Sequence, residues 1–141
     1  MAGAIAYAVL AVPLAFLVFT RRFFSPSPIV IAIQIVGILV VVWARLTFGM
    51  RSLHVGSNAT AGGLVTTGPY RYVRHPIYAG ALLIFAGVLI GHHDVETLIA
   101  VGCASAALVV RIFAEERAVV RTYPEYADYA KRTKRIIPFV L

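Results

Sequence analysis

The stretch PIYAGALLIFAGVLIGHHDVETLIAVGCASAALVVRIFAEE, residues 76–116, holds two apolar runs separated by a short polar connection. Pro76 suits the first turn of a helix, because its missing N–H would have no intrahelical partner there. Asp94 lies where a side-chain oxygen can cap the start of the second run. The runs 76–91 and 95–114 are therefore predicted to form an antiparallel helical hairpin whose outer ends lie side by side.

The composition places this hairpin in a membrane. The chain has 141 residues, of which 60% are hydrophobic and 13% are charged, and its mean hydropathy is +0.86. Soluble domains are nearer half apolar and a quarter charged. Two more apolar runs, 2–20 and 29–44, precede the hairpin, and about 20 apolar residues span the hydrocarbon core of a bilayer. We expect an all-α integral membrane protein with about four transmembrane helices, two of them within residues 1–48 and the others within a C-terminal unit, 49–141.

The segments between and after the apolar runs have a different composition. Residues 49–69 are rich in glycine, serine and threonine and are predicted to form an irregular loop outside the membrane. Pro124 disfavours helix at the residue before it and is expected to end a polar extension of the fourth helix. Residues 124–133 then resemble a short polar helix, and the apolar tail, 136–141, is expected to dock on membrane or protein.

The distribution of lysine and arginine sets the orientation. The net charge is +7, from 13 basic and 6 acidic residues. Cytoplasmic loops of membrane proteins carry an excess of lysine and arginine. With both termini in the cytoplasm, only Arg21 and Arg22 of the 13 basic residues lie outside. We therefore expect a multi-pass protein with the polar ends of the hairpin at the cytoplasmic face, and no nucleic-acid-binding motif is present.

The residues just before the hairpin form the first candidate site. The stretch TTGPYRYVRHPIYAG, residues 66–80, holds Tyr70, Arg74, His75 and Tyr78. Tyrosine and arginine commonly lie at the headgroup level of a bilayer, which is the simpler interpretation of each one alone. His75, however, stands at the N-terminus of a helix, where free backbone N–H groups suit polar or anionic ligand atoms.

The residues at the far end of the hairpin form the second candidate site. Arg111 and Glu115 are four positions apart and share a helix face, with Glu116 beside them. Such a pair on a surface is worth about 0.5 kcal/mol or less. An arginine near membrane level is nevertheless a functional candidate, and two adjacent carboxylates would attract a cationic ligand.

A third polar group lies in the connection of the hairpin. His92, His93, Asp94 and Glu96 are consecutive or nearly so, in a loop at the opposite end. A solvated loop with a helix cap explains them better than a metal site does, so no metal is expected.

Two stretches together resemble the isoprenylcysteine carboxyl methyltransferase family. They are GGLVTTGPYRYVRHPIYAG, residues 62–80, and RIFAEERAVVRTYPEYADYAKRTKRIIPF, residues 111–139. They are also similar to the related phospholipid N-methyltransferases. The pairing of an RHPxYxG block with an R-x3-EE block carries the resemblance. Residues before 49 match only as generic membrane helices, and Gly62 and Val119 stand where family members often have histidine and leucine.

The resemblance implies a methyltransferase that uses S-adenosylmethionine, with residues 49–141 as the methyltransferase core. It implies a cofactor pocket at the cytoplasmic face, capped by the C-terminal segment. The short N-terminal part is typical of small prokaryotic members, which places the protein in an inner membrane. Carried over by position, the catalytic residues are Arg111, which would meet the substrate, and Glu116, which would assist; the cofactor-binding residues are Leu64, Val65, Tyr70, His75, Pro76, Ile77, Tyr78 and Glu115.

The chemistry of the methyl acceptor stays open from the sequence. The expected acceptor is a lipophilic small molecule or lipidated substrate, and a carboxylate, held by Arg111, is favoured. An amine of a phospholipid is the alternative, and it would need Glu115 or Glu116 as a base. A non-enzymatic membrane scaffold, in which these charged residues only anchor helix ends, is the second alternative.

Overall fold

Five α-helices make up the computed structural model, which describes residues 2–49 and 63–137. No β-strand lies in those ranges, so the all-α prediction is confirmed; a single bridge pairs the backbones of Val73 and Lys134. The first part of the predicted loop and the end of the apolar tail lie outside the described residues. The helices are α1 (Ala2–Phe19), α2 (Pro28–Phe48), α3 (Pro76–Gly91), α4 (Val95–Thr122) and α5 (Tyr126–Arg132), and a 3-10 turn (Gly68–Arg71) precedes α3.

Local signals fix the helix ends where the sequence predicted them. Pro76 occupies the first turn of α3. Asp94 caps α4, since its Oδ1 accepts a hydrogen bond from Thr97 N at 2.9 Å. The bonds from Thr97 to this carboxyl lower the pKa of Asp94 below its ordinary value. α4 continues past the apolar run to Thr122 and stops before Pro124, as expected.

Two of the helices, α2 and α4, are long and apolar enough to cross a membrane. α3 and the Val9–Phe19 part of α1 are apolar but shorter. The expectation of about four membrane spans is thus supported by length for two helices and stays a prediction for the others. Along α2, large apolar side chains point away from the rest of the chain, among them Ile31, Ile35, Ile38, Leu39, Val42 and Trp43.

The closest helix contact joins α2 and α3 through two glycines. A Cβ atom on Gly80 would lie 2.6 Å from the carbonyl oxygen of Gly37, and a Cβ on Gly37 would lie 2.7 Å from that of Gly80. Contacts of this kind let two backbones meet directly, which is a common way to pack helices in membranes. Since no larger residue fits at either position, this crossing fixes how far α3 is shifted along the axis of α2.

Helices α1, α3 and α4 enclose an apolar core. Its buried side chains come from α1, α3 and α4, and Gln34 of α2 is tied to the α1–α2 loop by a 2.8 Å hydrogen bond from its Nε2 to Phe23 O. The fully or nearly buried members of this core are Leu17, Phe85, Val88, Ala100, Val101, Ala104 and Leu108.

The bundle has two chemically distinct ends. At one end, Arg22 of the α1–α2 loop pairs with Asp94 at 3.5 Å and with Glu96 at 2.6 Å. These ion pairs bring the α1–α2 loop against the α3–α4 connection. The start of α3 and the end of α4 therefore meet at the opposite end, as the predicted hairpin requires.

The α2–α3 contact gives a test of the packing. Gly80→Ala is expected to lower thermal stability in detergent by about 1–3 kcal/mol, because the new methyl group meets the Gly37 backbone, which cannot move aside. The matched control is Gly102→Ala in α4, where a Cβ meets nothing within 4 Å. Alanine is the better helix former, so the control should be unchanged or more stable by up to about 1 kcal/mol. Equal thermal midpoints for the two variants would contradict the packing described.

Candidate functional site

His75 lies at the junction between the 3-10 turn and α3. It occupies the N-cap position of α3, but its side chain makes no capping hydrogen bond. The ring instead turns toward α4, with Nε2 at 3.3 Å from Glu116 Oε1, and lies 5.8 Å from the ring of Tyr78. Pro76 behind it is fully buried, which fixes the start of the helix.

The first polar cluster, the Glu115 cluster, consists of Tyr78, Arg111 and Glu115. Arg111 Nη2 donates to Glu115 Oε1 at 2.8 Å, and the hydroxyl of Tyr78 donates to the same oxygen. Arg111 Nε also donates to the Tyr78 hydroxyl oxygen at 3.1 Å, which closes a triangle. The two bonds to Glu115, from Arg111 and from Tyr78, both end on Oε1. Glu115 Oε2 therefore has no donor among the residues that the structure describes.

The second polar cluster, the Glu116 cluster, gathers donors from three parts of the chain. Glu116 Oε1 accepts from Arg74 Nε at 3.0 Å and from the Tyr126 hydroxyl at 3.2 Å, in addition to its contact with His75. Its Oε2 accepts from Arg135 Nε at 3.0 Å. The Glu116 side chain is only 12% exposed, so these bonds replace most of its water.

The C-terminal segment, defined here as residues 133–137, pairs with the residues before α3. Arg74 N donates to Lys134 O at 2.7 Å, and His75 N donates to Arg135 O at 2.9 Å. Arg74 Nη1 also donates to Ala130 O at 2.9 Å. The family resemblance implied a capping C-terminal segment, but nothing in the sequence singled out Lys134 and Arg135, which look like ordinary cytoplasmic charges.

Helix α5 is held by buried tyrosines. The Tyr129 hydroxyl donates to Tyr70 O at 2.6 Å. Burial raises the pKa of Tyr129 to about 12, and it also raises the pKa of Tyr70 and of Tyr126 well above the ordinary tyrosine value. All three phenols are therefore protonated near neutral pH and can act as hydrogen-bond donors.

Two of the predicted cofactor residues lie beside the end of α2. Leu64 and Val65 line an open cavity of about 470 Å³ together with the last residues of α2. Tyr70 stands next to this region, with its ring 5.6 Å from that of Phe48. Ile77 is half-buried in the first turn of α3. The structure thus brings His75, Tyr78, Arg111, Glu115 and Glu116 together at one end of the α3–α4 hairpin.

The comparisons with known proteins fit this geometry. Residues 28–126 match the phospholipid methyltransferase family model, which covers both candidate clusters except Arg135. The match and the apolar helices together support a membrane methyltransferase. The chain belongs to the phospholipid methyltransferase family, so the predicted relation to the isoprenylcysteine carboxyl and phospholipid methyltransferases is confirmed.

Two curated relatives are longer proteins. The chain is 28% identical over 79% of its length to the cobalt-zinc-cadmium resistance protein CzcN of Cupriavidus metallidurans. It is 33% identical over 76% of its length to the nickel-cobalt-cadmium resistance protein NccN of Alcaligenes xylosoxydans xylosoxydans. The matched region is 50% of each relative, so the chain spans about half their length. No solved structure matches it significantly. In the described ranges, His, Cys, Asp and Glu form no group of three or more that could hold a metal ion.

The Tyr129–Tyr70 bond gives a test of how α5 is held. Tyr129→Phe leaves the buried Tyr70 carbonyl without this donor, which should cost about 1–3 kcal/mol of stability at neutral pH. The unfolded chain releases the phenol proton near pH 10, whereas folded Tyr129 keeps it to about pH 12, so stability falls as pH rises through this interval. The variant should lose this part of the pH dependence.

Denaturation followed by circular dichroism at neutral pH and between pH 9 and about 12 measures both effects. Tyr72→Phe is the matched control, since the Tyr72 side chain is 51% exposed. If Tyr129→Phe and Tyr72→Phe behaved alike at every pH, the buried bond would not stabilise α5.

Proposed function

We propose that the chain is an S-adenosylmethionine-dependent methyltransferase that acts on a lipophilic acceptor at the membrane. The observation that carries the proposal is the Glu115 cluster, a half-buried tyrosine–arginine–glutamate triangle at the polar end of apolar helices. Family membership supplies the class of reaction, methyl transfer. The favoured acceptor is a carboxylate on a lipid or a lipidated molecule.

The donor set fits the proposed cofactor. S-adenosylmethionine presents a sulfonium cation, ribose hydroxyls and an adenine ring, and when bound it supplies an electrophilic methyl group. The Glu115 side chain is 27% exposed, and its Oε2 has no donor in the described part of the chain, so it can meet a cation or a hydroxyl. Tyr78 and Arg111 hold the other oxygen and fix the direction of the carboxylate. We assign the surrounding wall to His75 and Ile77 near the cluster and to Leu64, Val65 and Tyr70 beside the end of α2, with the fully buried Pro76 fixing the start of α3 behind them.

Arg111 is the proposed contact of the acceptor. It lies in the interior of the chain with 8% of its surface exposed, and its bonds to Glu115 and Tyr78 fix the guanidinium group in advance. Arginine binds carboxylates through charge-assisted and often bidentate hydrogen bonds. A carboxylate is already nucleophilic when ionised, so this reaction needs no base. The contribution of the protein is then alignment of the acceptor with the methyl group, which can supply several kcal/mol.

An amine acceptor is the second candidate. Two observations favour it: the matching family is described as phospholipid methyltransferases, and Glu115 Oε2 has no donor among the described residues. An ammonium group must lose a proton before it can accept a methyl group, and Glu115 Oε2 is the carboxylate oxygen in position to take it. Glu116, the other predicted base, has both oxygens engaged.

The proposed membrane arrangement follows from the two ends of the bundle. Residues 1–48 and 49–141 would supply two helices each to a multi-pass protein of a prokaryotic inner membrane. The end that carries the two clusters would face the cytoplasm with both termini, since most basic residues gather there. A lipid acceptor would then reach Arg111 from the bilayer.

Calorimetric titration of the purified chain in detergent with S-adenosylhomocysteine tests the cofactor pocket. We expect saturable binding at one site per chain. Glu115→Gln should weaken it at least tenfold, because a hydrogen bond to a charged group is worth about 1.5–3 kcal/mol. Glu125→Gln is the matched control, since Glu125 is exposed at the start of α5. A folded, monodisperse wild-type sample that binds nothing would leave the membrane scaffold as the better explanation.

The chemistry of the product separates the two acceptors. The chain is incubated with S-adenosylmethionine carrying a tritiated methyl group and a bacterial lipid extract, and the labelled lipid is then treated with alkali. A methyl ester releases its label as volatile methanol, whereas alkali does not cleave an N-methyl group, so the label of an N-methylated lipid stays non-volatile. We expect volatile label, and the Glu115→Gln chain should incorporate little label. Label that stays non-volatile would replace the carboxylate by the amine.

A further inference from the structure

We propose that Glu116 and Arg135 are positioning residues that hold the C-terminal segment against His75 and so complete one wall of the cofactor pocket. The docking itself stands on the contacts of this chain. Its consequence for ligand binding rests on the function proposed above.

The contacts around His75 form a closed ring. The backbone N–H of His75 donates to Arg135 O at 2.9 Å. The side chain of the same arginine donates to Glu116 Oε2 at 3.0 Å, and Glu116 Oε1 lies 3.3 Å from the His75 ring. The backbone of His75 is therefore held by the C-terminal segment, and its ring contacts Glu116 of α4, which Arg135 of that segment also binds. If the C-terminal segment moves away, the His75 N–H loses the acceptor of its hydrogen bond. Glu116 at the same time loses Arg135, one of the donors that fix its position.

The two adjacent carboxylates differ in what they can still bind. A carboxylate has about four acceptor positions. Glu116 Oε1 accepts from Arg74 and Tyr126 and contacts His75, and Glu116 Oε2 accepts from Arg135. Its side chain is 12% exposed against 27% for Glu115. Glu116 therefore has little capacity left for a ligand, and we assign it to assembly of the pocket instead of contact with the cofactor or the acceptor.

The C-terminal segment is attached by a small set of interactions, among them a hydrogen bond from Arg74 Nη1 to Thr133 O. Its backbone pairing with the residues before α3 consists of two short bonds, at 2.7 and 2.9 Å, and one of 3.5 Å. The Arg135 guanidinium adds the ion pair with Glu116 and lies 5.3 Å from the centre of the Phe113 ring. An arginine over an aromatic ring contributes about 0.5–1 kcal/mol at an exposed site. Loss of the Arg135 side chain removes both of these contacts at once.

Docking and ligand binding must then be coupled in both directions. A ligand that needs His75 in place binds only when the C-terminal segment is docked, and it stabilises docking by the same factor. A side chain that only added stability to the folded chain would not change ligand affinity in the folded protein. This difference makes the proposal testable.

Hydrogen exchange of the full-length chain in detergent micelles tests the docking. The amides of Arg74 and His75 donate to the C-terminal segment, so their exchange reports its release. Arg135→Gln and Glu116→Gln should raise their exchange rates at least fivefold, while amides of α2 and α3 stay unchanged and show that the bundle is folded. Arg135→Lys keeps a cation opposite Glu116 and should restore most of the protection. Lys131→Gln, which changes only an exposed pair with Asp128, is the control.

Calorimetry with S-adenosylhomocysteine on the same variants tests the coupling. Arg135→Gln should weaken binding by about 5- to 150-fold, the usual range for coupled sites, and Arg135→Lys should recover it. Wild-type exchange rates in Arg135→Gln would overturn the docking role. Faster exchange with unchanged affinity would overturn the pocket-wall role. A wild-type chain that binds no ligand would overturn the proposed function and the pocket-wall role, while the exchange rates would still decide the docking.

Discussion

A carboxylate taken out of water must receive hydrogen bonds from the protein, and Glu116 imposes this requirement on the whole site. Its donors are Arg74 before α3, Tyr126 in α5 and Arg135 in the C-terminal segment. These residues are far apart in sequence, so satisfying one carboxylate fixes where the hairpin, α5 and the C-terminal segment lie. Successive residues of an α-helix point about 100° apart, and Glu115 therefore faces a different neighbour, the pair of Tyr78 and Arg111.

This arrangement also needs α3 at a definite height. The direct backbone contact at Gly37 and Gly80 sets that height from α2. Four residues before Gly80, the helix begins at Pro76, so the contact inside the apolar region decides where His75 and Tyr78 stand relative to α4. The glycine contact between α2 and α3 thus also sets the positions of the polar residues at the start of α3.

The helices and the first cluster could be predicted because their signals are local. Apolar runs bounded by Pro76, Asp94 and Pro124 mark the helix ends, and a spacing of four residues places Arg111 beside Glu115. The docking of the C-terminal segment could not be predicted in this way. Arg135 has its partners 19 and 60 positions away, at Glu116 and His75, and in sequence it is one more cation of a basic tail. The resemblance to a methyltransferase family assigned Glu115 to the cofactor and Glu116 to catalysis, and it gave no role to Arg135.

Glu115 and Glu116 differ in the hydrogen-bond donors that their carboxylate oxygens receive, and the family match does not contain this difference. The match ends at residue 126, so it covers Glu115 and Glu116 equally and does not reach Arg135. The match alone therefore does not show how the surroundings of the two carboxylates differ. The structure gives one of them an oxygen without a described donor and gives the other donors on both oxygens. A carboxylate whose oxygens are already satisfied gains little from a ligand and loses much if a donor leaves, which is the behaviour of a residue that assembles a pocket.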